Sequence, residues 1–403
     1  MAIESELDFK GDRDATLKLI SWFDIERVRG AKILVVGAGA IGNEVLKNLA
    51  LLGVGNIYIF DMDTIEMSNL SRSVLYRPRD QGQSKALIAA RAVKDLNPNV
   101  NAFWHDGDIA TDLGEGLVRR MDVIVGCLDS VEARFLLNRL CWKVGRPWVD
   151  AGIGALNGHV RVFRPPDSAC YECSFSEAHY ADLSIRQSCN ALAGAYVRQG
   201  RVPTTPTIAS LVAAVQVQEC LKLLDFDNWN SRTLCGRQFD FDGMNAQADV
   251  VGLPRREDCP AHDLAVDPDL IIELPEVSAK SKAGDLLAKA QHLLGSSAHL
   301  YLDFEIALER TCPDCGHVLQ IFRPLHRIVR DDLRCDCGKV PQWESDITQT
   351  HIISGKTSAS ELLSMPLRDL GVPAFGIVEA RGPNRAVNYL ELCGDSVDSV
   401  CAV

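Results

Sequence analysis

A basic surplus is missing from this chain: 42 lysines and arginines face 54 aspartates and glutamates, a formal net charge of −12. A general nucleic-acid binder draws its affinity from positive surface against phosphates, so that class is excluded. The opening residues, Met1-Ala2-Ile3-Glu4-Ser5-Glu6, are acidic and lack the apolar core of a secretory signal. Nowhere does an uninterrupted apolar run reach membrane length, and no internal repeat or long low-complexity tract is present. The expectation is therefore a cytoplasmic enzyme with no membrane and no nucleic-acid partner. Its 403 residues allow two domains, or one large one with an appendage, and at 47% hydrophobic a sizeable core is no difficulty. Cysteine, by contrast, is plentiful. Fourteen cysteines without a secretory signal point to reduced thiols, metal sites and a possible nucleophile.

An apolar run, Ile33-Leu34-Val35-Val36, breaks into Gly37-Ala38-Gly39-Ala40-Ile41-Gly42. An amphipathic helical segment follows from Glu44 to Leu52, then a second apolar strand, Ile57-Tyr58-Ile59-Phe60, ending in Asp61-Met62-Asp63. Strand, glycine turn, helix, strand, acid is the pattern of a nucleotide-binding βαβ unit. Glycines let the backbone turn tightly and approach phosphate, and the helix N-terminus stabilises the negative charge. Asp61 then lies where a ribose hydroxyl would be held. The glycine signal alone would equally suit an NAD(P) oxidoreductase.

Further polar residues narrow the choice. Ser68-Asn69-Leu70-Ser71-Arg72 comes next, then Gly82-Gln83-Ser84-Lys85, and Asp129 follows the strand Val123-Ile124-Val125. A dehydrogenase has no need of a fixed Arg, Lys and Asp around its phosphates. An enzyme that cleaves ATP does, because charge builds on the phosphoryl oxygens and the departing pyrophosphate. Each residue also has a plainer reading. Asp61 and Asp63 could cap a strand end, Asn69 and Arg72 could clasp a loop, Lys85 could be a solvated helix residue, and Asp129 could cap a helix near Val131.

The combined set, Asp-x-Asp, Ser-Asn-Leu-x-Arg, Gly-x-x-Lys and the later Asp, resembles the ThiF/MoeB family of ubiquitin-activating-type adenylyltransferases. The resemblance covers roughly residues 10 to 265. It implies a Rossmann-like doubly wound α/β sheet over 1–265 and ATP with Mg2+ as cofactors. It also implies a homodimer and a protein substrate, either ubiquitin-like or a sulfur carrier, ending in glycine. The nucleotide site would comprise Gly37, Gly39, Ala40, Gly42, Asp61, Asp63, Asn69, Arg72, Lys85 and Asp129. Arg72 and Lys85 would contact the phosphates and Asp129 would hold magnesium. Arg134 would be structural or support the site from behind. An arginine near the N-terminus often reaches into the partner subunit's nucleotide site in such enzymes, and Arg13 is the candidate. The chain departs from the family at Ala40, where glycine is common. A small side chain is tolerable there if φ is negative.

Two cysteine groups have metal-like spacing. Cys170-Tyr171-Glu172-Cys173 pairs across a long gap with Cys259-Pro260-Ala261-His262, which suits a tetrahedral structural Zn2+. His262 replaces a cysteine usual in the family. The second group is Cys312, Cys315, Cys335 and Cys337, each knuckle followed by glycine as in zinc ribbons, with room for a hairpin between them. A C-terminal module, 266–403, would thus contain a zinc ribbon and strands and serve to recruit a partner.

Of the other cysteines, Cys127, Cys141 and Cys220 lie in apolar segments and read as core. Cys189 sits in a polar stretch, Ser184-Ile185-Arg186-Gln187-Ser188-Cys189-Asn190, with Arg186, Arg198 and Arg201 near enough in sequence to favour a thiolate. In the resembling enzymes a cysteine here attacks the activated acyl group, and 176–206 would be the crossover loop carrying it. Attack of an ionised carboxylate on the α-phosphorus needs no general base, so positioning and charge neutralisation should suffice. An acyl-adenylate would form, Cys189 would displace AMP to give a thioester, and a conjugating enzyme would receive it. The alternative purpose is adenylation of a sulfur carrier for thiamine, molybdopterin or tRNA thiolation. The rhodanese-like extension frequent in that branch is not evident after residue 265. A zinc-dependent binding module on a catalytically dead nucleotide fold is the remaining alternative.

Overall fold

The computed structural model describes residues 8–180, 203–328, 330–338, 347–355, 360–394 and 401–402. Its first sheet starts from five short strands: β1 (Lys32–Val36), β2 (Asn56–Phe60), β3 (Asn101–His105), β4 (Val123–Gly126) and β5 (Trp148–Ile153). They run parallel in the order β3-β2-β1-β4-β5. β1 shows why: its last four residues are all buried, as befits a strand covered on both faces. Ile33 and Val35 point into one core with α2 (Ala40–Leu52), α3 (Lys85–Leu96) and α6 (Pro206–Leu224). Leu34 and Val36 point into another with α4 (Glu115–Arg119) and α5 (Val131–Lys143). A short α1 (Ile25–Gly30) precedes β1.

Chain order reverses between β1 and β4, which creates the crevice where doubly wound sheets bind ligands, outside the carboxyl ends of the strands. Three further strands, β6 (Asn157–Phe163), β7 (Arg237–Asp242) and β8 (Gln247–Gly252), continue the sheet antiparallel, so it is mixed rather than wholly parallel. Helix α6 begins with Pro206, its missing N–H costing nothing at that position, and Thr205 as N-cap. By length and composition it could cross a membrane. Instead it packs on α2 and β4 to β6, and buried Gln216 donates to Gly126 O (3.0 Å) and Val149 O (3.2 Å).

A second sheet has the order β11-β10-β13-β14-β9, with β12 also on β10. These are β9 (Ile271–Ser278), β10 (His299–Thr311), β11 (Val318–Pro324), β12 (Ile347–Ile353), β13 (Ile377–Arg381) and β14 (Val387–Cys393). Helix α7 (Ala283–Leu294) supplies Ala283, Leu286, Leu287 and Ala290 to its core. The two sheets meet across α4 and α5. Lys143 Nζ lies 2.8 Å from Glu115 and 2.5 Å from Asp303, while Glu115 accepts from Ile377 N at 3.0 Å. Arg119 and Arg120 both bind Glu391, which is buried on β14. The chain then leaves this unit, and β15 (Cys401–Ala402) pairs antiparallel with β3, back on the first sheet.

Candidate nucleotide site

The carboxyl ends of β1, β2 and β4 lie side by side, because Val36 registers with Phe60 on one side and Gly126 on the other. The residues that follow those ends, Gly37 and Ala38, Asp61 and Cys127, are thereby neighbours. Gly37 leaves β1 with φ +97°, and a Cβ at that point would stand 2.4 Å from Cys127 O. At Gly42 a Cβ would meet Gly37 O at 2.0 Å, so both glycines let backbone approach backbone. Gly39 differs: it caps α2 with negative φ, and a Cβ there would meet nothing within 4 Å. Gly39 leads directly into the first turn of α2, whose leading N–H groups have no intrahelical acceptor. That turn is a cradle for an anion. Ala40 begins the helix and is not among the residues with positive φ, so its methyl group is accommodated.

Asp61 Oδ2 accepts from Ala38 N at 2.6 Å and Oδ1 from Asp63 N at 2.8 Å. Burial raises its carboxyl above the ordinary value, against the pull of the Ala38 N–H and the Lys85 ammonium. Lys85 opens α3 and is buried, with Nζ 2.7 Å from the more exposed Asp63. It is not a solvated helix residue. Asn69 closes a 3₁₀ turn by accepting from Glu66 N (2.9 Å), and Arg72 donates to Ser68 O (2.9 Å), so both also clasp their own loop. Asp129 is exposed beyond β4, and the cap of α5 is Ser130, which accepts from Ala133 N at 3.1 Å. Arg134 bonds Asp150, Leu128 O and Ala151 O, a structural role. Arg13 is apart from this group: it donates to Leu96 O at the far end of α3, roughly 16 Å along the helix axis from Lys85.

Two site residues escaped the sequence reading. Asn43, fully buried, donates to Ala38 O (2.7 Å) and Gly39 O (2.9 Å) and accepts from Leu75 N (2.9 Å). Tyr76 Oη is 2.7 Å from Ala38 O. The available signal was a polar residue on the sheet-facing side of α2.

Both cysteine groups come together. Sγ of Cys170 is 3.5 Å from that of Cys259 and 3.8 Å from that of Cys173, which is 3.5 Å from His262 Nε2. A tetrahedron with Zn–S near 2.3 Å has sulfur–sulfur edges of about 3.8 Å, so donor type and spacing fit a closed tetrahedral metal site. His262 stacks on Trp142, ring centroids 4.8 Å apart. In the second group Cys312 lies 3.7 Å from Cys337 and Cys315 lies 3.5 Å from Cys335. Its first knuckle tips the β10–β11 hairpin, so the described residues between the two knuckles form β11 and two 3₁₀ turns, Leu325–Arg327 and Arg330–Leu333, in place of a hairpin. Each group could hold a metal ion. Cys127, Cys141 and Cys220 are buried core residues, with burial pushing each thiol up. Cys189, Arg186, Arg198 and Arg201 lie outside the described residues.

A glycine turn and helix N-terminus at the switch point of a doubly wound sheet, flanked by an acid at the second strand end and a buried lysine, define the class of a nucleotide-binding α/β protein. The ThiF family profile matches residues 12–261, and the chain belongs to that family. It is 42% identical over 149 residues to SUMO-activating enzyme subunit 2 of Dictyostelium discoideum, covering 37% of this chain and 22% of that protein. To ubiquitin-like modifier-activating enzyme 5 of the same organism it is 31% identical over 214 residues, 49% of this chain and 54% of the relative. The chain thus spans between about a fifth and about half the length of these relatives. Among solved structures, E. coli MccB with succinimide superposes at TM-score 0.52 with 20% identity, over 62% of this chain and 74% of that one. MccB with ATP gives 0.52 and 19%, over 63% and 75%.

Proposed function

We propose that this protein uses ATP to activate the C-terminal carboxylate of a ubiquitin-like protein. The convergence of the open cradle at Gly39, Asp61 and Lys85 at one switch point carries the reading. Membership of the ThiF family and the likeness to two named activating enzymes support it.

In this reading the phosphates lie against the N-terminus of α2, Asp61 takes the ribose, and Arg72 and Lys85 neutralise charge on the phosphates. Lys85 would exchange its bond to Asp63 for the nucleotide. Asp129, an exposed carboxylate three residues beyond the end of β4, is the residue that would hold Mg2+, which would supply further neutralisation of the leaving pyrophosphate. The incoming carboxylate is already ionised, so the chain's task is alignment. Cys189 is the proposed acceptor of the acyl group. In its favour, Cys127, Cys141 and Cys220 are buried, and burial raises the Cys235 thiol to about 11. Arg13, held away from its own chain's cradle, suits the contact to a second subunit's nucleotide in a homodimer. Both cysteine clusters are proposed as structural zinc sites, the second forming a ribbon-like tip for partner recruitment.

ATP–pyrophosphate exchange with small carrier proteins ending in glycine, followed by non-reducing gels of wild type and Cys189→Ala, tests the reading. Carrier-dependent exchange with a thiol-labile adduct absent from the variant is expected. Exchange without an adduct would retain adenylation and favour a sulfur carrier. Absence of both exchange and nucleotide binding would sink it.

A further inference from the structure

Ala38 and Gly39 present a difficulty for any anion in this cradle. Their carbonyl oxygens sit in the same turn as the N–H groups meant to hold the phosphate, and an inward carbonyl would repel it. Two side chains from different elements hold those oxygens. Asn43, in the first turn of α2, donates through Nδ2 to Ala38 O and Gly39 O. Tyr76 Oη, arriving from the loop after Arg72, lies 2.7 Å from Ala38 O and 3.2 Å from Lys85 O. A hydroxyl has one proton to give, and Ala38 O is the nearer acceptor. Burial drives the phenol well above its ordinary value, so that proton stays in place. Asn43 cannot flip, because its Oδ1 accepts from Leu75 N at 2.9 Å. Both side chains are buried.

We infer that Asn43 and Tyr76 form a positioning clamp that sets the phosphate turn for nucleotide binding and ties it to the Arg72 loop. The Gly39 carbonyl is also turned along α2 by Asn43 N, at 2.9 Å, so the side-chain bonding acts chiefly at the Ala38 carbonyl and turns it from the cradle. The bonding also polarises the amides that carry the N–H groups of Gly39 and Ala40, which would serve the phosphate in the proposed site. Leu75 N and Tyr76 belong to the strand-free loop that follows Arg72, so displacement of the loop would move the turn as well. The clamp rests on the proposed nucleotide site, and it concerns the phosphates, not the nucleoside.

That distinction gives the test. Calorimetric titration of wild type, Tyr76→Phe and Asn43→Ala with ATP and separately with adenosine reads each part of the ligand. Tyr76→Phe deletes one oxygen and should weaken ATP about tenfold, the scale of one buried hydrogen bond. Adenosine affinity should stay within twofold, and the KM for ATP in exchange should rise more than kcat falls. The double variant should lose less than the product of the two single losses, since both act on Ala38 O. Equal changes for ATP and adenosine would make the pair merely structural, and no change in Tyr76→Phe would overturn the clamp. Should Asn43→Ala not fold, Tyr76→Phe alone decides. A wild type that binds no ATP would remove the nucleotide reading and the clamp with it. Wild-type binding with an unaltered ATP-to-adenosine ratio in the variants would remove the clamp alone.

Discussion

Gly37 and Gly39 stand two residues apart and answer to different constraints. The first has φ +97° with backbone 2.4 Å from where a methyl would go, so Gly37→Ala should cost about 1–3 kcal/mol of stability. The second has negative φ and open space, so Gly39→Ala should melt like wild type yet lose ATP affinity by about tenfold or more, its methyl standing where phosphate belongs. Thermal melts paired with ATP titrations separate the two, and equal ATP affinity in Gly39→Ala would move the phosphate elsewhere. Asp61 adds a pH signature. Burial raises its folded carboxyl above the unfolded value, so the ionised group costs stability at neutral pH, and the cost disappears as pH falls below that unfolded value. Asp61→Asn keeps an oxygen for Ala38 N but gives up the one that accepts from Asp63 N, so its stability relative to wild type should be most favourable at neutral pH, while it binds nucleotide worse. That relative stability should fall under acid, and denaturation curves across that range check the sign. A stability difference unaltered by pH would show that the ionised carboxylate is not its source.

At the scale of elements, α5 links the two sheets through its last residue. Lys143 is the cation between Glu115 on α4 and Asp303 on β10, and Glu115 also holds Ile377 N. Replacing it with methionine would leave the buried Glu115 uncompensated, a loss of about 3–5 kcal/mol. A lowered urea midpoint is the expected result, and Glu115→Gln in the same background should recover part of it. No recovery would mean that Lys143 acts by packing alone. Nothing local announces this contact, since Lys143 and Asp303 are 160 residues apart in sequence. β1, β2 and α2 were legible because continuous apolar runs and glycine punctuation are properties of neighbouring residues. β8 was not: all six of its residues are exposed at the sheet's edge, so burial imposes no alternation on Gln247–Gly252. The site was legible where chemistry demands a residue type, at Gly37, Asp61, Lys85 and the metal-like cysteines. It was illegible at Asn43 and Tyr76, whose role is to satisfy backbone groups that only the folded turn exposes.

For the molecule as a whole, the two cysteine clusters lie with different sheets. Cys170, Cys173, Cys259 and His262 pack with α5 and the buried face of the nucleotide-binding sheet, within or one residue beyond the family match at 12–261. Cys312, Cys315, Cys335 and Cys337 gather at the tip of β10–β11, in the second sheet. A structural metal supplies folding free energy to the unit that contains it, so removing either should unfold only its own surroundings. Wild type should carry one zinc per cluster by elemental analysis. Cys312→Ser with Cys315→Ser should retain one, become sensitive to proteolysis around 312–338, and keep nucleotide-dependent exchange within twofold. Cys170→Ser with Cys259→Ser should also lose one zinc, but here the melting temperature of the nucleotide-binding sheet and the exchange should fall together. Coupled loss of exchange in both double variants would mean that the tip reports to the nucleotide site through the α4–α5 ion pairs. The polar character of that seam, Lys143 with Asp303 and Arg119 and Arg120 with Glu391, lets the alternative be tested by salt, because screening would weaken the exposed Lys143–Asp303 pair first.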